Sequence, residues 1–236
     1  EMIASGVTTV QHLHSRAPGT PQDILAAAEQ VIATQGLAAL KTRDLARAAG
    51  CAVGAIYNVF PDLDTLILTV NLRTLVLFDA AIAGSGEAPG RSPGTEGAVA
   101  GLVRLALAYL AFAWEHRLRW QALFDHRMHG REVPDWYRAE QGRLFSYIEA
   151  PLARLCPGLT GEERTVRAQS LFSCTHGLVS IGLDERLMPM PRATLAREIE
   201  HLVRWRPGAR RRLATAARRP PSLRVGGHEC RRPRAA

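Results

Sequence analysis

The sequence predicts an all-α protein, and three observations support this fold class. Apolar residues recur at helical spacing over long stretches, and Gly and Pro divide these stretches. No stretch alternates apolar and polar residues as a half-buried strand does. With 47% hydrophobic and 22% charged residues among 236, the composition is that of a globular protein of one large or two small domains.

The first half of the chain predicts four helices. Ile24, Leu25, Ala28, Val31 and Ile32 form one apolar stripe, which starts after Pro21 and stops at Gly36. Two short helices are expected at 42–49, ended by Gly50, and at 53–60. A long helix follows from Pro61 to about residue 83, before the Gly- and Pro-rich break at 84–95.

The second half predicts a larger helical unit. Periodic stretches cover about 96–127, 135–155, 161–186 and 192–205, with Gly and Pro between them. We therefore divide the chain into a small unit at 21–70 and a larger one at 71–205. Residues 1–20 are expected to be a disordered or vector-derived arm, and residues 206–236 a disordered tail.

Most of the positive charge lies in that tail. The whole chain has a net charge of +8, yet the tail holds ten arginines against the single acidic residue Glu229, so the remainder is close to neutral. Nucleic-acid binding by the body of the protein must therefore rest on local motifs rather than on bulk charge.

Cysteine spacing and hydropathy indicate a cytoplasmic location. The four cysteines, Cys51, Cys156, Cys174 and Cys230, are too far apart for a C-x-x-C metal motif and too few for a disulfide framework. No apolar run of about 20 residues is evident, and the first 16 residues lack the pattern of a signal peptide. We expect no membrane contact.

The two short helices have the proportions of a helix-turn-helix, a weak signal by itself. Their residues are more specific: TRDLARAAGCAVGAIYNVFPDLDTLI resembles the DNA-binding domain of the TetR/AcrR family, and the match runs over 21–70. The resemblance implies a homodimer that binds a double-stranded DNA operator, with the second short helix of each head in the major groove.

The resemblance also implies roles for individual residues. Thr42 would donate to a phosphate and Arg43 would read a base, or else they are a helix cap and a solvated charge. Tyr57 would donate to a phosphate, or else it is a core aromatic. The residues expected to face base edges are Ala52, Val53, Gly54, Ala55 and Asn58.

Three positions depart from the family pattern. Lys41 stands where Ser or Thr commonly caps the helix, Ala52 replaces a common Ser, and Leu63 replaces a phosphate-binding Lys. Attraction to the DNA backbone is therefore expected to be weaker than usual in the family, and the Arg-rich tail is one conceivable compensation.

A second resemblance covers about 96–205. WQALFDHRM at 120–128 and SLFSCTHGLVSI at 170–181 are similar to a TetR subgroup with a W-x-x-x-H-G signature, in which Phe172 here replaces the Trp and His176 and Gly177 match. The resemblance implies a C-terminal ligand-binding and dimerisation domain. It implies a repressor released from its operator by a small molecule that the sequence does not identify.

Candidate residues follow for both roles of this domain, with ordinary packing as the alternative for each. Aromatic and histidine residues expected at a ligand pocket are Trp114, Trp120, Phe124, His126, Phe145, Phe172 and His176. Apolar residues expected at a four-helix dimer interface are Leu171, Leu178, Ile181, Leu195, Ile199 and Leu202.

Two other functions compete with this interpretation. The tail could bind polyanions without sequence preference. A helical metal-dependent enzyme could use His126 with His129, or His176 with Cys174. Because no H-E-x-x-H, G-x-S-x-G, Walker or G-x-G-x-x-G motif stands in a matching context, we expect neither an enzyme nor a cofactor or metal.

Overall fold

The structure, a computed structural model, describes residues 19–84, 94–128 and 130–204. These ranges contain nine α-helices and one 3-10 turn, Leu37–Ala39, and no strand. The helices are α1 (Pro21–Gln35), α2 (Thr42–Ala48), α3 (Val53–Val59), α4 (Leu63–Gly84), α5 (Gly94–Glu115), α6 (Arg117–Asp125), α7 (Asp135–Leu155), α8 (Gly161–Leu183) and α9 (Arg192–Arg204). The prediction of an all-α fold is confirmed. The predicted Arg-rich tail and most of the predicted N-terminal arm lie outside the described residues.

Helices α1 to α3 and the first half of α4 form an N-terminal head. A capping box begins α1, in which the Asp23 backbone N–H donates to Thr20 Oγ1 and the Thr20 N–H donates to Asp23 Oδ2. The helix ends at Gly36, whose φ of 85° lies in the region that favours glycine. The apolar stripe predicted from Ile24 to Ile32 faces inward and forms the centre of the head's core.

The C-terminal body is built around α5, which packs against α4, α6, α7, α8 and α9. Its main core joins Tyr109 and Phe112 of α5 with Trp120 of α6, Val179 of α8 and Leu195 of α9. Burial of these large side chains is the main source of the body's stability.

The stretch at 96–127, predicted as one periodic segment, is two helices. The chain turns at His116, whose backbone leaves the helical region with φ −120° and ψ 41°. The turn contains neither Gly nor Pro, so the sequence carries no ordinary break signal there. It lets Trp120 fold back so that its Nε1–H donates to the Tyr109 hydroxyl at 2.8 Å.

The expectation that no segment is long and apolar enough to span a membrane also needs a correction. Helices α4 and α5, of 22 residues each, are long and apolar enough to cross a membrane by length and composition, contrary to the expectation from sequence. Both contribute residues to the packed cores, and α4 buries the polar Asn71 and Thr74 inside the protein. Their apolar character is therefore explained by internal packing.

Candidate nucleic-acid interface and ligand cavity

Helices α2 and α3 form a helix-turn-helix at one end of the molecule. Gly50 occupies the turn with φ 68°, and the Cys51 backbone N–H donates to the Ala46 carbonyl at 2.9 Å. Leu45 of α2 and Ile56 of α3 are buried in the head's core. This packing fixes the angle between the two helices and leaves the opposite face of α3 in solvent.

The exposed face carries the residues that the sequence singled out for DNA contact. Arg43, Ala52, Val53, Gly54, Tyr57 and Asn58 are exposed, and Thr42 and Ala55 are half-buried. Tyr57 is 48% exposed, so it is not a core aromatic. A Cβ placed on Gly54 would have no atom within 4 Å, and the surface there is open to a close approach.

Two hydroxyl groups lie together on this face. Thr42 Oγ1, at the start of α2, is 3.5 Å from the Tyr57 hydroxyl on α3. Lys41 and Ala52 precede the two helices without a side-chain cap, as their residue types led us to expect. The pair of hydroxyls is therefore placed to donate to a single anionic group.

A cavity of about 180 Å³ lies in the body. All the body helices contribute to its wall, and so does the second half of α4. The residues that line it are Leu75, Phe78, Ile82, Leu102, Leu105, Ala106, Tyr109, Leu123, Phe124, Tyr137, Gln141, Leu144, Phe145, Ile148, Leu171, Phe172, Thr175 and Val203.

Three of the seven predicted pocket residues, Phe124, Phe145 and Phe172, line this cavity. Trp120 and His176 lie behind the wall, against the Tyr109 ring. The remaining two predicted pocket residues, Trp114 and His126, lie away from the cavity.

Trp114 is exposed on the outer surface, where the Arg192 guanidinium lies 5.9 Å from its ring centroid. His126 faces the start of α4, with Nε2 3.4 Å from Asp64 Oδ1. Neither residue is among those that line the cavity. Of the pairs considered for metal chemistry, His176 and Cys174 are not brought together, because His176 faces inward while Cys174 is exposed. The pair of His126 with His129 cannot be described, because His129 lies outside the described residues.

Tyr109 connects the cavity wall to a buried polar pair. Its hydroxyl accepts from Trp120 Nε1 at 2.8 Å and lies 2.7 Å from Nδ1 of His176. Burial raises the pKa of Tyr109 above its ordinary value and lowers the pKa of His176. Both groups are therefore held in their neutral forms near pH 7.

The sequence did not identify several wall residues, among them Phe78, Tyr109 and Leu144. Phe78 and Tyr109 lie on helices that are apolar on most sides, so periodicity alone does not separate a cavity wall from solid core. Only the packing of several helices around one space distinguishes them.

One helix joins the cavity to the head. On α6, Leu123 and Phe124 line the cavity, while the neighbouring Ala122 is fully buried in the head's core. The Ala122 carbonyl accepts from Asn71 Nδ2 of α4 at 3.1 Å, and both groups are buried. Helix α6 therefore contacts both the cavity and the core of the head.

Ion pairs cross the same junction. Glu29 Oε1 of α1 lies 2.7 Å from Arg73 Nη1 of α4, and Glu29 Oε2 lies 3.9 Å from Arg119 Nη2 of α6. On the other side, Arg131 pairs with Asp62 and Asp64 at the start of α4. Each of these surface pairs contributes little energy. Together they link α1 and the start of α4 to α6 and to the segment that follows it.

The predicted dimer residues differ in their surroundings. Leu195 and Ile199 are 0% exposed and belong to the core of their own chain, so the alternative of intramolecular packing holds for them. Leu171 lines the cavity, while Leu178 and Leu202 are half-buried. Ile181, 41% exposed on α8, has a surface available to a partner.

The fold and the exposed face of α3 define the class of protein: a helical protein with a helix-turn-helix head and a body that contains a cavity. The family described as "Bacterial regulatory proteins, tetR family" matches residues 24–70, and "Tetracyclin repressor-like, C-terminal domain" matches residues 102–204. Together the matches cover well over half of the chain. The chain belongs to the tetR family, and it is a DNA-binding transcriptional regulator with a ligand-binding C-terminal domain rather than an enzyme.

Solved structures have the same fold. A protein of unknown function from Rhodococcus sp. RHA1 has a TM-score of 0.59 and 19% identity, covering 82% of this chain and 96% of its own. A tetR-family regulator from Streptomyces coelicolor has a TM-score of 0.54 and 18% identity, covering 84% and 85%. The TetR-family regulator PfmR from Thermus thermophilus has a TM-score of 0.51 and 19% identity, covering 76% and 96%. No curated protein sequence matches the chain. Identities this low establish the fold alone.

Proposed function

We propose that the protein is a cytoplasmic, homodimeric repressor whose two heads bind one operator and whose cavity binds the small molecule that releases it. The observation that carries this proposal is the position of α6, with Phe124 at the cavity and Ala122 in the core of the head. We further infer two domains, a DNA-binding head at 21–70 and a ligand-binding and dimerisation body at 71–205.

On DNA, α3 would enter the major groove. Ala52, Val53, Gly54, Ala55 and Asn58 would approach the base edges, and Arg43 would supply a bidentate contact. Thr42 and Tyr57, with their hydroxyls 3.5 Å apart, would hold one phosphate between them. Small side chains along α3 permit a close fit but offer few hydrogen-bond donors, so we assign much of the sequence preference to Arg43.

For the dimer we propose the outer face of α8. Val166 is 55% exposed and Ile181 is 41% exposed, and Ser170, Cys174 and Gly177 lie between them at helical spacing. Small residues between two apolar ones allow a second helix to approach closely, and a twofold axis would bring the same face of a second chain against it. We also infer membership of the W-x-x-x-H-G subgroup, supported by His176 and Gly177 on this helix.

Release would follow from the position of α6. A molecule that fills the cavity presses on Phe124 and Leu123, and α6 carries that displacement to Ala122 and the head. If the ligand binds better to the arrangement in which the two heads are wrongly spaced, it shifts the population toward that arrangement and lowers operator affinity.

The first experiment selects bound DNA from a random pool and measures the affinity for the selected operator with and without candidate ligands. We expect a palindromic site with half-sites about one helical turn apart, and weaker binding when the cavity is occupied. Unchanged operator affinity with a ligand shown to occupy the cavity would contradict release.

Deleting residues 206–236 tests the polyanion alternative. Specific DNA binding should survive the deletion on our proposal, and it should disappear if the tail carries the binding.

The second experiment tests the dimer face. Ile181→Lys should convert the dimer to a monomer in light scattering, because it places a charge in an apolar interface. Val76→Lys, at an exposed apolar position on α4, is the matched control and should leave the dimer intact. A dimer that persists with Ile181→Lys would rule out this face.

A further inference from the structure

The chemistry of the cavity wall restricts what the cavity can hold. None of the 18 described residues that line it is charged. An ionic ligand would lose its hydration on entry without gaining an ion pair, which is a large penalty in an apolar space. The titratable groups at the wall do not remove the penalty, because burial raises the pKa of Tyr137 to about 12 and that of Tyr109 above its ordinary range.

Most polar atoms at the wall are already engaged. The Tyr109 hydroxyl is shared with Trp120 and His176. Thr175 donates its hydroxyl proton to the Leu171 carbonyl at 3.0 Å, which leaves its oxygen only as an acceptor. Gln141, exposed on α7, makes no hydrogen bond within the described part of the chain. The Tyr137 hydroxyl already accepts a hydrogen bond from the Asn71 side chain. Among the described residues at the cavity, the Gln141 amide is therefore the principal group left both to donate to a ligand and to accept from it.

The wall also favours flat rings. Phe172 meets Tyr109 edge to face with centroids 5.6 Å apart, and meets Phe145 in the same way at 5.3 Å. Phe78 and Phe124 complete an aromatic lining, in which a ligand ring would find edge-to-face partners. A volume of about 180 Å³ is somewhat above that of an apolar cavity of about 150 Å³ that holds benzene, so it suits one or two rings.

We propose that the ligand of this cavity is an uncharged aromatic molecule of one or two rings, whose single hydrogen-bonding group reaches Gln141. The proposal rests on the proposed function only in calling this molecule the effector. The binding itself is a property of the body and is measured without DNA.

Four probes of similar size test the charge and the aromatic ring of the ligand separately: methyl benzoate, benzoate, benzylammonium and methyl cyclohexanecarboxylate. Isothermal titration of the full chain at pH 7 should show methyl benzoate binding roughly tenfold or more tightly than either ion. It should also bind several-fold more tightly than the cyclohexane ester, which lacks the aromatic ring. Equal or tighter binding of an ion, equal binding of the cyclohexane ester, or no binding of methyl benzoate at millimolar concentration would each overturn the proposal.

Two variants locate the binding in this cavity. Ala106→Leu fills part of the space and should weaken methyl benzoate roughly tenfold or more. Ala139→Leu, on an exposed position of α7, is the matched control and should leave its affinity unchanged. If both variants bind methyl benzoate as the natural chain does, the ligand lies elsewhere and the proposal is wrong.

Gln141→Glu provides a test that does not disturb the core, because this side chain is exposed. The new carboxylate should raise the affinity for benzylammonium and lower that for methyl benzoate, reversing the preference or removing it. An unchanged preference would overturn the role given to Gln141.

Operator affinity is measured separately with the same probes. Selective binding of methyl benzoate without any effect on operator affinity would contradict release by the ligand but support the proposed ligand class. Release from DNA by a charged probe alone would support release but contradict the ligand class.

Discussion

The hydroxyl of Tyr109 on α5 lies 2.7 Å from Nδ1 of His176 on α8, directly behind the cavity wall. The indole N–H of Trp120 can only donate, so the Tyr109 oxygen accepts that bond, and its own proton is available to His176. Three helices of the body are thus joined at one hydroxyl. The cavity is therefore bounded on this side by a fixed polar contact rather than by side chains that repack freely.

Replacing Tyr109 with Phe should lower the free energy of unfolding by about 1–3 kcal/mol, because the buried Trp120 N–H loses its acceptor. Urea denaturation followed by circular dichroism measures the change. Tyr57→Phe removes the same atom from an exposed side chain and should change stability by less than about 0.5 kcal/mol. Equal losses in the two variants would mean that the Tyr109 contact contributes nothing particular.

The contact between α8 and α9 gives a second prediction. A Cβ on Gly182 would overlap with Leu195 Cδ2 and lie 3.1 Å from Leu195 Cγ, and Leu195 is fully buried. Gly182→Ala should therefore destabilise the protein by about 1–3 kcal/mol through overpacking. Gly142→Ala is the control: its Cβ would meet nothing within 4 Å, and it should stabilise α7 by about 0.5–1 kcal/mol. A stabilising Gly182→Ala would show that Leu195 moves aside at no cost.

A third prediction concerns acid stability. Burial acts to raise the pKa of Asp79, but hydrogen bonds from Arg143 at 3.0 Å and Tyr147 at 2.7 Å outweigh it, and the pKa lies below its ordinary value. A carboxylate whose pKa is lower in the folded than in the unfolded protein stabilises the folded state at pH values above the unfolded-state pKa. This stabilisation is lost as the pH falls through the folded-state pKa.

The melting temperature should therefore decline between about pH 5 and about pH 3, less steeply with Asp79→Asn than in the natural chain. Tyr147→Phe removes one of the two donors and should give an intermediate slope. If all three proteins have the same slope, Asp79 does not contribute to acid unfolding.

Several elements of the fold are readable from the sequence because their signals are local. Gly36 and Gly50 end helices where positive φ is needed, and the stripe from Ile24 to Ile32 gives the inner face of α1. The helix-turn-helix signal is also local, because residues 42–60 contain both the proportions of the motif and the residues that carry the family resemblance. These elements could therefore be placed without knowledge of the body.

The body was harder to predict, because its features depend on which helices meet. Leu195 and Ile199 have the apolar spacing of an interface, but they are buried within their own chain. Trp114 has the residue type of a pocket wall but lies on the surface beside Arg192. Composition and spacing do not distinguish a core from a cavity or from an interface, and the turn at His116 had no Gly or Pro to mark it.

The last prediction tests the DNA-binding surface residue by residue. Arg43 is exposed at the start of α2, where its guanidinium can bond two acceptors of one base. Arg43→Ala should relax the preference at a single base pair, costing about 1–3 kcal/mol there. Tyr57→Phe should instead weaken binding to all sequences about equally, since a phosphate contact carries no base information.

Competition binding against a set of singly substituted operators measures both effects. Arg186→Ala removes the same charge just beyond the end of α8, where it pairs with Asp184, and should leave operator preference unchanged. If Arg43→Ala and Arg186→Ala reduce binding equally and uniformly, the Arg43 effect is only one of net charge. In that case the sequence preference must come from the small side chains of α3 and from the shape of the DNA.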